Sequence, residues 1–227
     1  MTSETDLTRS QRGRLTLGAV LLGILLGVVM IAANAYGATA GRPPVVDGTS
    51  YAGIPAQRNV LGTPDAKVEI VIYNDFQCVY CGKLHAEAEA QIIDQYVRPG
   101  KARLEIRQYP TYGEESVRAA EAAQAAADQG KYWEYRDLLF QNRQGVNKGN
   151  FSDENLVRWA GELGLDQVIF ANSLATGNHR AEVEGELQEA ERLGVSSVPT
   201  VFIDGQKVEG AQPFAVYQQI IEEELAK

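Results

Sequence analysis

The period of the apolar positions changes several times along the chain, and each change predicts an element. Residues 67–73 (KVEIVIY) alternate and then fill with β-branched side chains, the pattern of a buried strand. Over 78–95 the spacing becomes helical, with Leu84, Ala88, Ile92 and Ile93 on one face, and Pro99-Gly100 ends the unit. Residues 102–109 (ARLEIRQY) alternate again and stop at Pro110. Strand, helix and strand in that order predict a parallel pair joined by a right-handed crossover. Helical patterns follow: an Ala-rich one over 115–129, and one over 131–142 with Trp133, Leu138 and Phe140 as core anchors. A third runs over 153–164 behind Ser152, a good N-cap, and two more cover 167–174 and 180–193, the last ended by Gly194. Residues 200–203 and 206–208 then flank Asp204-Gly205, which supplies the positive φ angles of a tight hairpin, and a helix over 213–225 closes the chain. The order predicts an α/β domain with a helical insertion.

The first fifth of the chain reads differently. Residues 15–33 (LTLGAVLLGILLGVVMIAA) run 19 positions without a charge. As a helix they span ~28 Å, about the hydrocarbon thickness of a bilayer. Arg9, Arg12 and Arg14 all precede them, so the positive-inside rule keeps residues 1–14 in the cytoplasm and exports the rest. The expectation is one N-terminal transmembrane helix, single-pass in the cell membrane, with the folded part extracytoplasmic. Length favours an anchor; Ala33-Asn34-Ala35 and Ala38-Thr39-Ala40 keep open a cleaved signal, which would release a secreted or periplasmic domain. Gly23 and Gly27 have the spacing of a helix-pairing motif, but glycine is common in membrane helices and the plain reading is preferred. Residues 34–52, rich in Gly, Pro and small polar residues, read as a flexible linker to a domain over 53–227.

Composition narrows the function. The 227 residues carry net charge −9, and with +1 on the first 40 the rest of the chain holds −10. That argues against a nucleic-acid surface, which needs a basic face. The chain has no phosphate loop and no HExxH, so neither cofactor nor metal is expected.

Only two cysteines exist, Cys78 and Cys81, at a strand-to-helix junction. Three apart on a helix, they share a face and can form a reversible bridge. The helix N-terminus favours thiolate at the first sulfur. Cys78 is therefore expected as the exposed nucleophile and Cys81 as the more buried resolving thiol. A purely structural bridge is unattractive, because so short a loop gives little entropic stabilisation. Zinc would need two further ligands, and the only histidines, His85 and His179, lie far apart. His85 shares the Cys81 face and either tunes the pair or is a half-exposed helix residue of no special role. Val198-Pro199, opening the hairpin strand, suggests a cis peptide whose backbone pairs with an extended substrate.

The pieces VEIVIYNDFQCVYCGKL, GKYWEYRDLLFQNRQ and GVSSVPTVFIDGQKVEGAQPF make the chain resemble the DsbA-like branch of the thioredoxin superfamily, over roughly residues 53–225. The resemblance implies a thioredoxin fold with a helical insertion, an exported thiol-disulfide oxidoreductase with Cys78 attacking, and the Val198–Pro199 loop facing it. It implies cysteine-containing exported proteins as substrates and a membrane redox partner that recycles the disulfide. Two positions depart from the pattern. Val79 stands where many relatives have Pro, and Ile72 stands where a buried acid often assists the resolving thiol. Oxidase is the leading expectation, since export favours it. Reductase is the runner-up, and a non-catalytic binding or chaperone module is the third reading.

Overall fold

A sheet of six strands, in the order β1-β2-β4-β3-β5-β6, organises the computed structural model, which describes residues 51–227. The expected cytoplasmic N-terminus 1–14, membrane segment 15–33 and linker up to residue 50 lie outside the described residues. Among the described residues no helix is long and apolar enough to cross a membrane.

Strand β3 (Val68–Asn74) lies near the middle of the sheet, parallel to β4 (Ala102–Gln108), with Ile72 level with Ile106. The helical run 79–97, α1, makes the crossover between them. This is the expected strand-helix-strand unit, and Leu84, Ala88, Ile92 and Ile93 are all buried on the inner face of α1. The run is not uniform: His85–Glu89 and Ile93–Val97 are π-type turns. Strand β5 (Thr200–Ile203) pairs antiparallel with the other edge of β3, and β6 (Gln206–Glu209) follows through the hairpin. Asp204 and Gly205 take φ of 45° and 84°, the two positive angles that the Asp-Gly pair suggested. Helix α7 (Phe214–Leu225) returns across the same face as α1, burying Tyr217 and Ile221.

Between β4 and β5 lies the helical insertion, α2 (Glu114–Asp128), α3 (Tyr132–Gln141), α4 (Asp153–Glu162), α5 (Gln167–Thr176) and α6 (Arg180–Arg192). Helix α2 buries its alanines, whose small side chains let neighbouring helices approach closely. Ser152 caps α4 as expected, accepting from the Asn155 N–H at 3.5 Å.

Two expectations need correction. Leu138 is only half-buried, whereas Leu139 is fully buried. At 3.6 residues per turn, Trp133, Arg136 and Phe140 follow one stripe and Leu138 falls beside it. The strands β1 (Ala56–Gln57) and β2 (Val60–Leu61) were not anticipated. Two residues are too few to show a period, and these strands owe their place to pairing, β2 lying antiparallel against β4.

Candidate active site

Strand β3 ends at Asn74, and four residues later the chain starts α1 with Cys78 as its N-cap, extended at φ −71° and ψ 125°. That geometry turns the Cys78 sulfur back over the open end of the helix. It accepts from the Cys81 N–H at 3.4 Å, one of the donors a helix start leaves unpaired. Across from it, the Cys78 thiol lies 3.5 Å from the Val198 carbonyl oxygen, to which it donates. The Val198–Pro199 peptide is cis, as its sequence suggested. The Pro199 carbonyl accepts from Gly210 N–H at 2.8 Å, fixing this loop to the end of the hairpin. Cys78, Cys81, Val198 and Pro199 are thus brought together from segments 120 residues apart.

The expected exposed Cys78 is corrected: it is 1% exposed, against 2% for Cys81. The intervening Val79 and Tyr80 stand out into solvent at 57% and 62%, so the surface over the pair is apolar and the sulfurs lie beneath it. The two thiols are both free yet sharply different. A hydrogen bond from the Cys81 thiol, above all, lowers Cys78 to about 6 against the opposition of burial; N–H groups of Cys81 and Tyr80 and the Tyr112 hydroxyl add to it. Burial pushes Cys81 well up, and the hydrogen bond and charge of Cys78 add to that. The arrangement can hold one thiolate and one thiol side by side at neutral pH, the starting condition for thiol-disulfide exchange.

Ile72, where the resemblance would put an acid, is buried between Val201 and Ile106 on the neighbouring strands. The buried acid near the pair is Asp75, 1% exposed. Its carboxylate accepts from the N–H groups of Gln77 at 2.8 Å, Thr111 at 2.7 Å and Tyr112 at 3.3 Å, and from the Ser116 hydroxyl at 2.7 Å. Burial raises its pKa while these donors hold it down. Sequence reasoning missed this role; the available signal was an Asp two residues before an N–H it could cap.

His85 is not half-exposed. Its ring stacks on Phe140 with centroids 4.8 Å apart, and its nitrogens lie 3.2 Å from Glu89 Oε1 and 3.1 Å from Asp137 Oδ1. Burial and the Arg136 charge oppose its protonation, and the bonds to Asp137 and Glu89 outweigh them. Behind it, Arg136 grips Glu89 with two bonds of 2.5 and 2.8 Å, both side chains 1% exposed. Burial alone would raise Glu89, but the guanidinium brings it down to about 2. Tyr51 closes the cluster by donating to Asp137 at 2.8 Å. No periodicity announced this network, because Glu89 and Arg136 look like exposed helix residues in the sequence.

Comparison with known proteins gives the family. A model described as thioredoxin matches residues 56–223. A probable disulfide bond formation protein D of Bacillus anthracis is 26% identical over 172 residues, 74% of this chain and 78% of that protein. An Na(+)/H(+) antiporter NhaA 3 of Salinispora tropica is 32% identical over 157 residues, 69% of this chain; the chain spans only 23% of that antiporter's length. Among solved structures, oxidised BdbD of Bacillus subtilis superposes with a TM-score of 0.71 at 18% identity, covering 77% of this chain and 97% of that one. The alpha-DsbA1 of Wolbachia pipientis gives 0.67 at 20% identity, covering 78% and 96%. At such identities the two superpositions speak for the fold, while the family match spans most of the chain. With a family match that spans most of the chain and a fold shared with the DsbA-like structures, the chain belongs to the thioredoxin family.

Proposed function

We propose that the chain oxidises cysteine pairs of exported proteins through Cys78 and Cys81, from a position tethered to the membrane by residues 15–33. The observation that carries this reading is the asymmetry of the couple: a Cys78 sulfur drawn down to about 6 beside a Cys81 thiol held high. A stabilised thiolate favours the reduced form of the pair, and a pair that is stable when reduced is an oxidant. A client thiolate attacks the Cys78 sulfur of the Cys78–Cys81 disulfide, and Cys81 leaves and takes up a proton. The second client thiolate then attacks the client sulfur of the mixed disulfide and expels Cys78 as thiolate. Two electrons pass to the chain, and the client gains one disulfide. A membrane redox partner that takes those electrons completes the cycle. The Val198 backbone, facing the sulfur, supports an extended client segment docking alongside it.

A second reading, reductase, is favoured by one feature, Val79 standing where many DsbA-like relatives have Pro after the first cysteine. Disulfide transfer separates the two. Oxidised chain mixed with an equimolar reduced dithiol protein is expected to leave the client's thiols consumed and its own two cysteines free. Client thiols that remain untouched, while the reduced chain opens a client disulfide, would reverse the direction.

A further inference from the structure

Two segments that meet beside the couple hold no acid, in a domain that is otherwise acidic. Residues 79–84, the start of α1, carry Lys83 as their only charge, and loop 143–150, between α3 and α4, carries Arg143 and Lys148. Gln77, the buried neighbour of Cys78, fastens this loop to the start of α1. Its amide oxygen accepts from the Asn147 N–H at 2.5 Å, and its amide nitrogen donates to Asn147 Oδ1 at 3.3 Å. At the head of the loop, Arg143 lies against Gly82. A Cβ on Gly82 would stand 3.1 Å from one guanidinium nitrogen and 3.3 Å from the guanidinium carbon, so glycine is what permits the approach. The Gly82 N–H donates to the Cys78 carbonyl at 3.1 Å, which sets the guanidinium one helical turn from Cys78.

Most arginines of the domain hold a carboxylate, Arg118, Arg136 and Arg180 among them. Arg143 does not. Among the described residues its side chain has neither an ion pair nor a hydrogen bond, although its Nε is buried. Glu115, the carboxylate that touches the loop, is taken up by the Gly149 and Phe151 N–H groups at 2.7 and 3.4 Å. A planar guanidinium presents paired donors that match a carboxylate, and leaving it partly buried without an acceptor is unfavourable.

We propose that Arg143 is a specificity-determining residue for the exchange, pairing with a carboxylate that the client carries about two residues from the cysteine that attacks Cys78. The spacing follows from geometry: four helical residues rise ~6 Å, which an extended segment at ~3.3 Å per residue covers in about two. This rests on exchange at Cys78 and names the substrate class, client segments with an acid close to the reacting cysteine. No bond forms or breaks at Arg143; the guanidinium holds the segment while the sulfurs exchange. The exposed apolar side chains of the same two segments, Val79, Tyr80 and Val146, keep water from the pair once a client covers them. An acidic segment gains nothing from the domain's overall charge, so its recognition falls to this local cation.

The test mixes oxidised full-length chain with reduced peptides that carry one cysteine pair and differ at a single residue. That residue, two positions before or after the first cysteine, is Asp, Asn or Lys, and the second-order rate of disulfide transfer is measured. Dividing the Asp-to-Asn rate ratio of wild type by that of Arg143→Gln cancels the peptides' own reactivity. The quotient is expected to be about fivefold, to invert for Lys against Asn, and to shrink in ~1 M salt. Arg143→Lys is expected to keep part of the preference. Gly82→Ala, which pushes the guanidinium aside without changing the charge, is expected to lose part of it. These two variants carry the same comparison if Arg143→Gln fails to fold. A quotient near one, with every peptide slowed alike, overturns the Arg143 proposal and leaves the exchange reading standing. A wild type that oxidises none of the peptides overturns the proposed oxidation instead, and the quotient measured with reduced chain and peptide disulfides then decides Arg143 on its own.

Discussion

A Cys81→Ala chain is expected to become a trap, carrying client proteins as mixed disulfides on Cys78, while Cys78→Ala carries almost none. In the wild type an adduct that its client does not resolve is released within the molecule, because Cys81, one helical turn away, attacks the Cys78 sulfur as thiolate, re-forms the Cys78–Cys81 disulfide and expels the client thiolate. Removing that thiol leaves only client or solvent thiols to release the complex. Non-reducing gels of exported proteins should show adducts about tenfold more abundant than in wild type, or more, and reductant should collapse them. The asymmetry between the two variants is the informative quantity. It follows from one sulfur capping a helix start and the other lying inside the first turn. Adducts found instead with Cys78→Ala would assign the attacking role to Cys81.

The second large effect concerns stability. Arg136→Met is expected to destabilise the domain by ~3–5 kcal/mol, because it leaves the Glu89 carboxylate buried without its partner. For a domain of this size that corresponds to a fall in Tm of roughly 10 °C or more, readable by thermal or urea unfolding at neutral pH. The double variant Glu89→Leu with Arg136→Met is expected to recover much of the loss, since an apolar pair of similar volume has no charge to strand. The pH dependence has a defined sign. Glu89 falls from an ordinary 4.5 to about 2 in the folded state, so its contribution is present above 4.5 and disappears as pH drops towards 2. An Arg136→Met chain should lack that acid limb. Equal stability of wild type and Arg136→Met would show that the buried pair adds nothing net.

Why some of this was legible in the sequence and some was not follows from range. The β3-α1-β4 unit, the Asp204-Gly205 hairpin and the Ser152 cap are local, each set by a period or by a residue with one strong preference. The meeting of Cys78 with the Val198 carbonyl depends on β5 adding antiparallel to β3, and there the resemblance supplied what pattern could not. Asp75 escaped because its role exists only after β4 lies beside β3, bringing a distant loop to the start of α1. Glu89 and Arg136 escaped for another reason. A charged residue on a helix reads as solvent-facing, and only the packing of α3 against α1 reveals two opposite charges buried face to face. The burial of Cys78 belongs with these, since a sequence cannot show that Val79 and Tyr80 turn outward above it.

The reduction potential of the Cys78–Cys81 couple, measured by equilibrating the full-length chain with glutathione buffers, tests the central claim most directly. Couples of this kind run from about −120 mV for DsbA to about −270 mV for thioredoxin. The expected result is a single two-electron transition on the oxidising side of that range, with both thiols appearing together. A value near thioredoxin's would contradict disulfide donation and make the chain a reductase; no titratable couple at all would contradict thiol-disulfide exchange at this site.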